Sequence, residues 1–75
     1  MIPLQLLHAG ATAEIVAVAG HDEQVRRMRE IGMREGTKID MVRGGSPCIV
    51  RLGNQTLCIR TNEQLHVLVR AEGDA

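Results

Sequence analysis

Residues 28–41 read MREIGMREGTKIDM, and the change of period inside this stretch decides how the chain folds. Just upstream, Val25, Met28 and Ile31 recur every three residues, the spacing of one apolar stripe on a helix. Gly32 suits the left-handed backbone that ends a helix, and Met33 is placed to turn back against the last turn. Arg34, Glu35 and Gly36 then read as a turn closed by the second glycine. From Thr37 the period becomes two, with Ile39 and Met41 on one side and Lys38, Asp40 and Val42 on the other. A helix hands over to a strand, with Gly32 and Gly36 as the turn positions.

Working outward toward the N-terminus, Gly20 and His21 break the chain ahead of this helix, and Asp22 is placed to cap it through a first-turn amide. The segment before them, ATAEIVAVAG, reads as a strand with Ala13, Ile15 and Ala17 on one face and Glu14, Val16 and Val18 on the other. Further back, PLQLLHAG sets Leu4 and Leu7 three apart between Pro3 and Gly10, as in a single helical turn that seats two leucines.

Toward the C-terminus, RGGSP is a loop by composition. CIVRL and QTLCIR are two β-rich runs joined by Gly53-Asn54, a two-residue hairpin signal. That loop sets Leu52 opposite Gln55, Val50 opposite Leu57 and Ile49 opposite Cys58. Cys48 and Cys58 then point to opposite faces and cannot bond. Thr61 to Gln64 has the spacing of a capping box and reads as one helical turn. LHVLVR supplies a last strand, and residues 71–75 read as a polar tail, frayed by its composition. The expected fold is mainly β: one domain over residues 1–75, with its core about 3–69, holding five short strands, one helix and short helical turns. A small antiparallel barrel suits so few residues because closure removes sheet edges.

Composition narrows the function classes. The chain has 75 residues, 44% hydrophobic and 24% charged, with nine basic and nine acidic side chains in balance. A core of this size leaves little room for a deep catalytic cleft. Phe, Tyr and Trp are absent. Grooves for proline-rich peptides are aromatic-lined, and single-stranded nucleic acid stacks on aromatic rings, so neither partner suits this chain. Zero net charge also argues against nucleic acid, whose affinity comes from phosphate neutralisation. Two cysteines make no disulfide framework, and neither a secretory signal pattern nor a membrane-spanning run is present in the sequence. A reducing, cytoplasmic setting without membrane insertion is the reading.

With these stretches in place, the chain resembles the ferrous iron transport protein A family, small cytoplasmic proteins with an SH3-like barrel. The resemblance is carried by PLQLLHAGATAEIVAV, RRMREIGMREGTKIDMV and SPCIVRLGNQTLCIRTNEQLHVLV, about Pro3 to Val69. Its most specific piece is Ile31-Gly32-Met33-Arg34-Glu35-Gly36, where the family usually has Leu in place of Ile31. The resemblance implies an SH3-like barrel and an accessory role in ferrous iron uptake. The implied partner is the ferrous iron permease with its GTPase-like cytoplasmic domain, which would hold the chain at the inner membrane surface.

Three kinds of site deserve weighing. Tight metal sites announce themselves as paired ligands, and none is present among His8, His21, Cys48, Cys58 and His66. His21, Asp22 and Glu23 together offer a loose surface site for a divalent ion, although a loop histidine beside a helix cap explains them as well. The second kind is a partner surface: Arg26, Arg27, Arg29 and Arg34 form a basic helix face, with Glu23 and Glu30 near enough to pair locally. Met33 and Val42 are apolar side chains read as exposed, and the surface around Gly32–Gly36, centred on Met33, is the first choice for an interface because Met adapts to varied partners. The third kind, catalysis, has no support: there is no nucleophile–base pattern and no phosphate-cradling glycine loop. The leading expectation is an accessory protein that binds and modulates the permease, without cofactor. The alternative is a metal-responsive sensor that binds a divalent transition-metal ion.

Overall fold

The computed structural model describes residues 1–72. Six strands run antiparallel in one sheet: β1 (Ile2–Pro3), β2 (Thr12–Gly20), β3 (Lys38–Arg43), β4 (Cys48–Leu52), β5 (Gln55–Ile59) and β6 (Leu65–Ala71). Their spatial order is β1-β6-β2-β3-β4-β5. One α-helix, α1 (Asp22–Glu30), joins β2 to β3, and a 3₁₀ turn over Leu4–Leu6 follows β1. The sixth strand is β1, where Ile2 and Pro3 pair with Val69 and Leu68. Among the described residues no ladder joins β1 to β5, so the curled sheet stays open along that seam.

The core is aliphatic. Leu4, Leu7, Ile15, Met33, Ile39, Met41, Val50, Ile59, Val67 and Val69 are all buried on one concave face. Burial of such side chains is worth about 1.5–3 kcal/mol each, which has to offset the ordering of the chain. The 3₁₀ turn seats Leu4 and Leu7 as the sequence spacing requires, and both are buried.

Two bulges curve the sheet. In β2 the pairing with β6 slips between Ile15 and Ala17, leaving Val16 as the extra residue. The phase of the strand therefore changes, and Val18 rather than Ala17 reaches the core after Ala13 and Ile15. The second slip, between Met41 and Arg43, turns Val42 out of β3. Val42 is exposed, as its alternation suggested.

The handover from helix to strand forms as its glycines require. Met33 N–H donates to the Met28 carbonyl at 2.9 Å and Gly32 N–H to the Arg29 carbonyl at 3.1 Å. These two bonds satisfy carbonyls that the helix end would leave orphaned, and they need the positive φ that Gly32 adopts. Gly36 N–H then donates to the Ile15 carbonyl at 2.8 Å, fastening the turn to β2.

Elsewhere the local chemistry differs from expectation. His21, not Asp22, is the residue ahead of the helix, and no side chain caps it. Asp22 and Glu23 lie inside the first turn, where their charge complements the amide end of the helix dipole. Thr61 to Gln64 forms no helical turn. Asn62 and Leu65 pair across a tight β-turn, and Asn62 Oδ1 accepts from the Gln64 amide at 2.8 Å. An Asn side chain offering that bond competes directly with the helical alternative. Finally, Ala71 and Glu72 are not a frayed tail: Ala71 completes β6, and Glu72 N–H donates to the Thr12 carbonyl at 2.8 Å. Residues 73–75 of that expected tail lie outside the described residues.

Candidate interaction surfaces

Met33 is fully buried, so it presents no apolar surface to a partner. The same two bonds that close the helix carry its side chain inward, where it joins the core with Val25, Met28 and Ile31 packed at the rim. Reading it as exposed is corrected by this geometry. The exposed large apolar side chains are Met1, Leu6 and Val42, which do not surround Gly32–Gly36 in sequence or register.

The basic helix face divides into two pairs. Arg29 makes a two-pronged ion pair with Glu35, its guanidinium nitrogens at 3.0 and 3.1 Å from the two carboxylate oxygens. Arg34 donates through Nε to the Arg29 carbonyl at 3.0 Å. Both arginines therefore serve the helix C-terminus, where carbonyl ends favour cations. Glu35, rather than Glu23 or Glu30, is the local acidic partner. Its own backbone amide, with the Arg29 guanidinium, holds its carboxyl below the ordinary value of 4.5. Arg26 and Arg27 are exposed and make no ion pair among the described residues. Of the four, these two keep their charge free for a partner.

A second basic surface was not anticipated. Arg51 lies opposite Thr56 and Arg43 opposite Ile49, which in turn faces Cys58. These partners share the outer, convex face of β3–β5, and Arg60 follows Cys58 by two residues in the same phase. Hairpin register alone could have placed Arg51 and Arg60 there, because Gly53-Asn54 fixes it. That hairpin forms in the expected register throughout, from Leu52–Gln55 to Cys48–Ile59.

Metal chemistry finds little purchase. His21, Asp22 and Glu23 are all exposed at the start of α1. Among the described residues, no three His, Cys, Asp or Glu side chains converge to hold an ion. Cys48 is buried, and burial pushes its thiol up, away from the thiolate a metal needs. Cys58 is exposed on the opposite face, as the strand alternation predicts. The described residues bring together no ligand set for a resident metal. The described residues also enclose no pocket where a substrate could be shielded from water.

Comparisons place this geometry among known proteins. Among curated proteins, no sequence matches the chain significantly. A solved structure of Stenotrophomonas maltophilia FeoA, complexed with zinc, is 28% identical and superposes with a TM-score of 0.78, over 93% of this chain and 91% of that one. That protein is described as a prokaryotic SH3 domain protein and a candidate activating factor for bacterial ferrous iron transport. A second structure, an iron uptake regulatory protein also designated FeoA, shares the fold at a TM-score of 0.74 and 18% identity, over 92% of this chain and 97% of that one. The fold is thus SH3-like, built here from six strands rather than the five expected. The model of the FeoA domain matches residues 2–71, and the chain belongs to the FeoA family.

Proposed function

We propose that this chain is a single-domain accessory protein of ferrous iron uptake, acting in the cytoplasm by binding the ferrous iron permease at its GTPase-like domain. Membership of the FeoA family carries the reading. It is supported by the S. maltophilia relative, the candidate activating factor with which this chain shares its architecture. The physical features suit binding rather than catalysis: small size, an aliphatic core and a surface that offers free guanidinium groups instead of a cleft. Among the described residues no helix is long and apolar enough to cross a membrane; in this reading, contact with the inner membrane runs through the permease. Arg26 and Arg27 are the helix residues proposed to make that contact, while Arg29 and Arg34 hold the helix end in shape.

The test is capture of the permease from detergent-solubilised membranes by the tagged chain, with an Arg26→Glu/Arg27→Glu variant beside it. Recovery with the parent chain and a loss of about tenfold or more with the variant is the expected result, since reversing rim charges turns attraction into repulsion. Equal recovery by both moves the contact off α1. Failure to recover the permease with either chain overturns the transport reading. A chelator arm addresses the metal-responsive alternative: dependence of recovery on divalent metal would replace a simple docking module with a sensor.

A further inference from the structure

The two edges of the sheet are built differently. β1 is two residues long, and one of them is Pro3, which has no N–H to offer. Such an edge cannot template another strand. β5 runs for five residues, Gln55–Ile59, without proline, bulge or charge. Its loop has two residues, so the pairs Leu52–Gln55, Val50–Leu57 and Cys48–Ile59 are those that exchange bonds with β4. Thr56 and Cys58 consequently turn their amides and carbonyls away from β4, and no backbone group among the described residues meets them.

Charge sets what could lie along this edge. From Met41 to Asn62 the only charged side chains are Arg43, Arg51 and Arg60. All three are exposed, and none makes an ion pair among the described residues. Of the basic groups elsewhere, Arg29 pairs with Glu35, Lys38 with Glu72 and Arg70 with Glu14, Arg34 bonds the Arg29 carbonyl, and Arg26 and Arg27 on α1 have no ion pair among the described residues. Asp40, opposite Arg51 on β3, accepts from the Thr12 hydroxyl at 2.7 Å and makes no ion pair with Arg51, so the stretch from Met41 to Asn62, beside an unpaired strand, carries only positive charge. Half-buried Ile49 and exposed Cys58 lie between the arginines, so the face has an apolar middle and a guanidinium rim. Protein interfaces share that layout, with arginine enriched and lysine depleted.

We infer that the β5 edge, flanked by Arg51, Arg60 and Arg43, is a docking site for an extended acidic segment of a partner protein, which adds to the sheet as a seventh strand. Backbone bonds to Thr56 and Cys58 supply the pairing, and carboxylates on the segment's outer face meet the arginines. A second copy of this chain is a poor occupant, because pairing β5 with β5 sets three arginines against the same three with no acid between. Nucleic acid is a poor one too, since no aromatic ring is present for a base to stack on. The inference stands on a surface distinct from Arg26 and Arg27 and does not depend on the iron-transport reading.

The probe is a capped peptide of three Glu-Val repeats, titrated into the isotope-labelled full chain while backbone amide signals are followed. Shifts should concentrate at Gln55–Ile59, Arg51 and Arg60. Arg51→Glu/Arg60→Glu should weaken binding about tenfold, and a Lys-Val peptide should bind at least as weakly. Thr56→Pro removes an outward amide while sparing the β4 ladder, and should abolish binding with the remaining spectrum intact. Should that variant unfold, a peptide N-methylated at alternate residues asks the same question without touching the protein. Shifts centred on α1, equal binding of the N-methylated peptide, or equal binding of inorganic tripolyphosphate would overturn the inference. So would concentration-dependent shifts at β5 without peptide, which would assign the edge to a second copy.

Discussion

Two tight connections in this molecule turn on a glycine, and they differ in what surrounds it. Gly20 ends β2 at a φ of 140°, and a Cβ there would collide with the Gln64 backbone carbonyl. Gly53 opens the β4–β5 loop at a φ of 60°, and a Cβ there would meet nothing within 4 Å. One glycine answers to the tertiary structure, the other only to its own loop. The same contrast separates the two halves of the chain. From β1 to Gly36, irregular backbone is pinned by long-range bonds such as His21 N–H to the Gln64 carbonyl at 2.9 Å. From β3 to β5 the chain is a meander that follows its local pattern apart from the bulge at Val42.

Substitutions can break this comparison or sharpen it. Gly20→Ala should be the most damaging, costing about 3–5 kcal/mol and in a domain this small approaching complete unfolding, as read by urea titration. Met33→Ala comes next at about 2–4 kcal/mol, the range for emptying a filled core site. A cost below about 1 kcal/mol would mean that the handover is looser than the buried side chain requires. Gly53→Ala should cost only about 1 kcal/mol, the strain of left-handed backbone with no clash added. Were it to match Gly20→Ala, the division between the two connections would fail.

Two smaller effects test the polar details on each side. Thr61, at the far end of the hairpin, buries a hydroxyl that finds no partner among the described residues. Thr61→Val keeps the shape and should raise stability by up to about 1 kcal/mol, measured by thermal melting. Glu35, at the handover, titrates below its ordinary value, so its ionised form is favoured in the folded chain. Its stabilisation should be fully present above about pH 5 and fade as pH falls through the lowered folded value. Melting temperatures of the parent and Glu35→Gln should therefore differ near neutrality and converge by about pH 3, by a small margin because both partners are exposed.

What the sequence made legible follows the same divide. The register from Leu52–Gln55 to Cys48–Ile59 could be written down in advance, because a two-residue loop leaves one choice and the pleat does the rest. Ile39 and Met41 were equally clear, each separated by a polar neighbour. In IVAVA, after Glu14, both faces are small or apolar, so nothing in the spelling marks Val16 as the bulge, and Ala17 rather than Val18 looked like the inner residue. Met33 was placed outside because its direction depends on the sheet that covers it, not on its own segment. Among the surface residues, Arg29 and Arg34 resembled Arg26 and Arg27 until Glu35 and the helix carbonyls separated them. The β3–β5 arginines went unnoticed for the opposite reason: they are scattered in the chain and meet only across strands.

The position of β6 has a consequence for how the protein comes into being. It is the last of the described strands in sequence, yet it sits inside the sheet, with β1 on one side and β2 on the other. On the ribosome, the first strand therefore waits for the last, and β2 carries an open edge until Leu65–Ala71 has been made and has cleared the exit tunnel. Half-made chains have a hairpin and a helix to form but no complete sheet to join. Completion of the sheet waits for β6, and any guard against sticking to neighbours has to operate until that strand arrives.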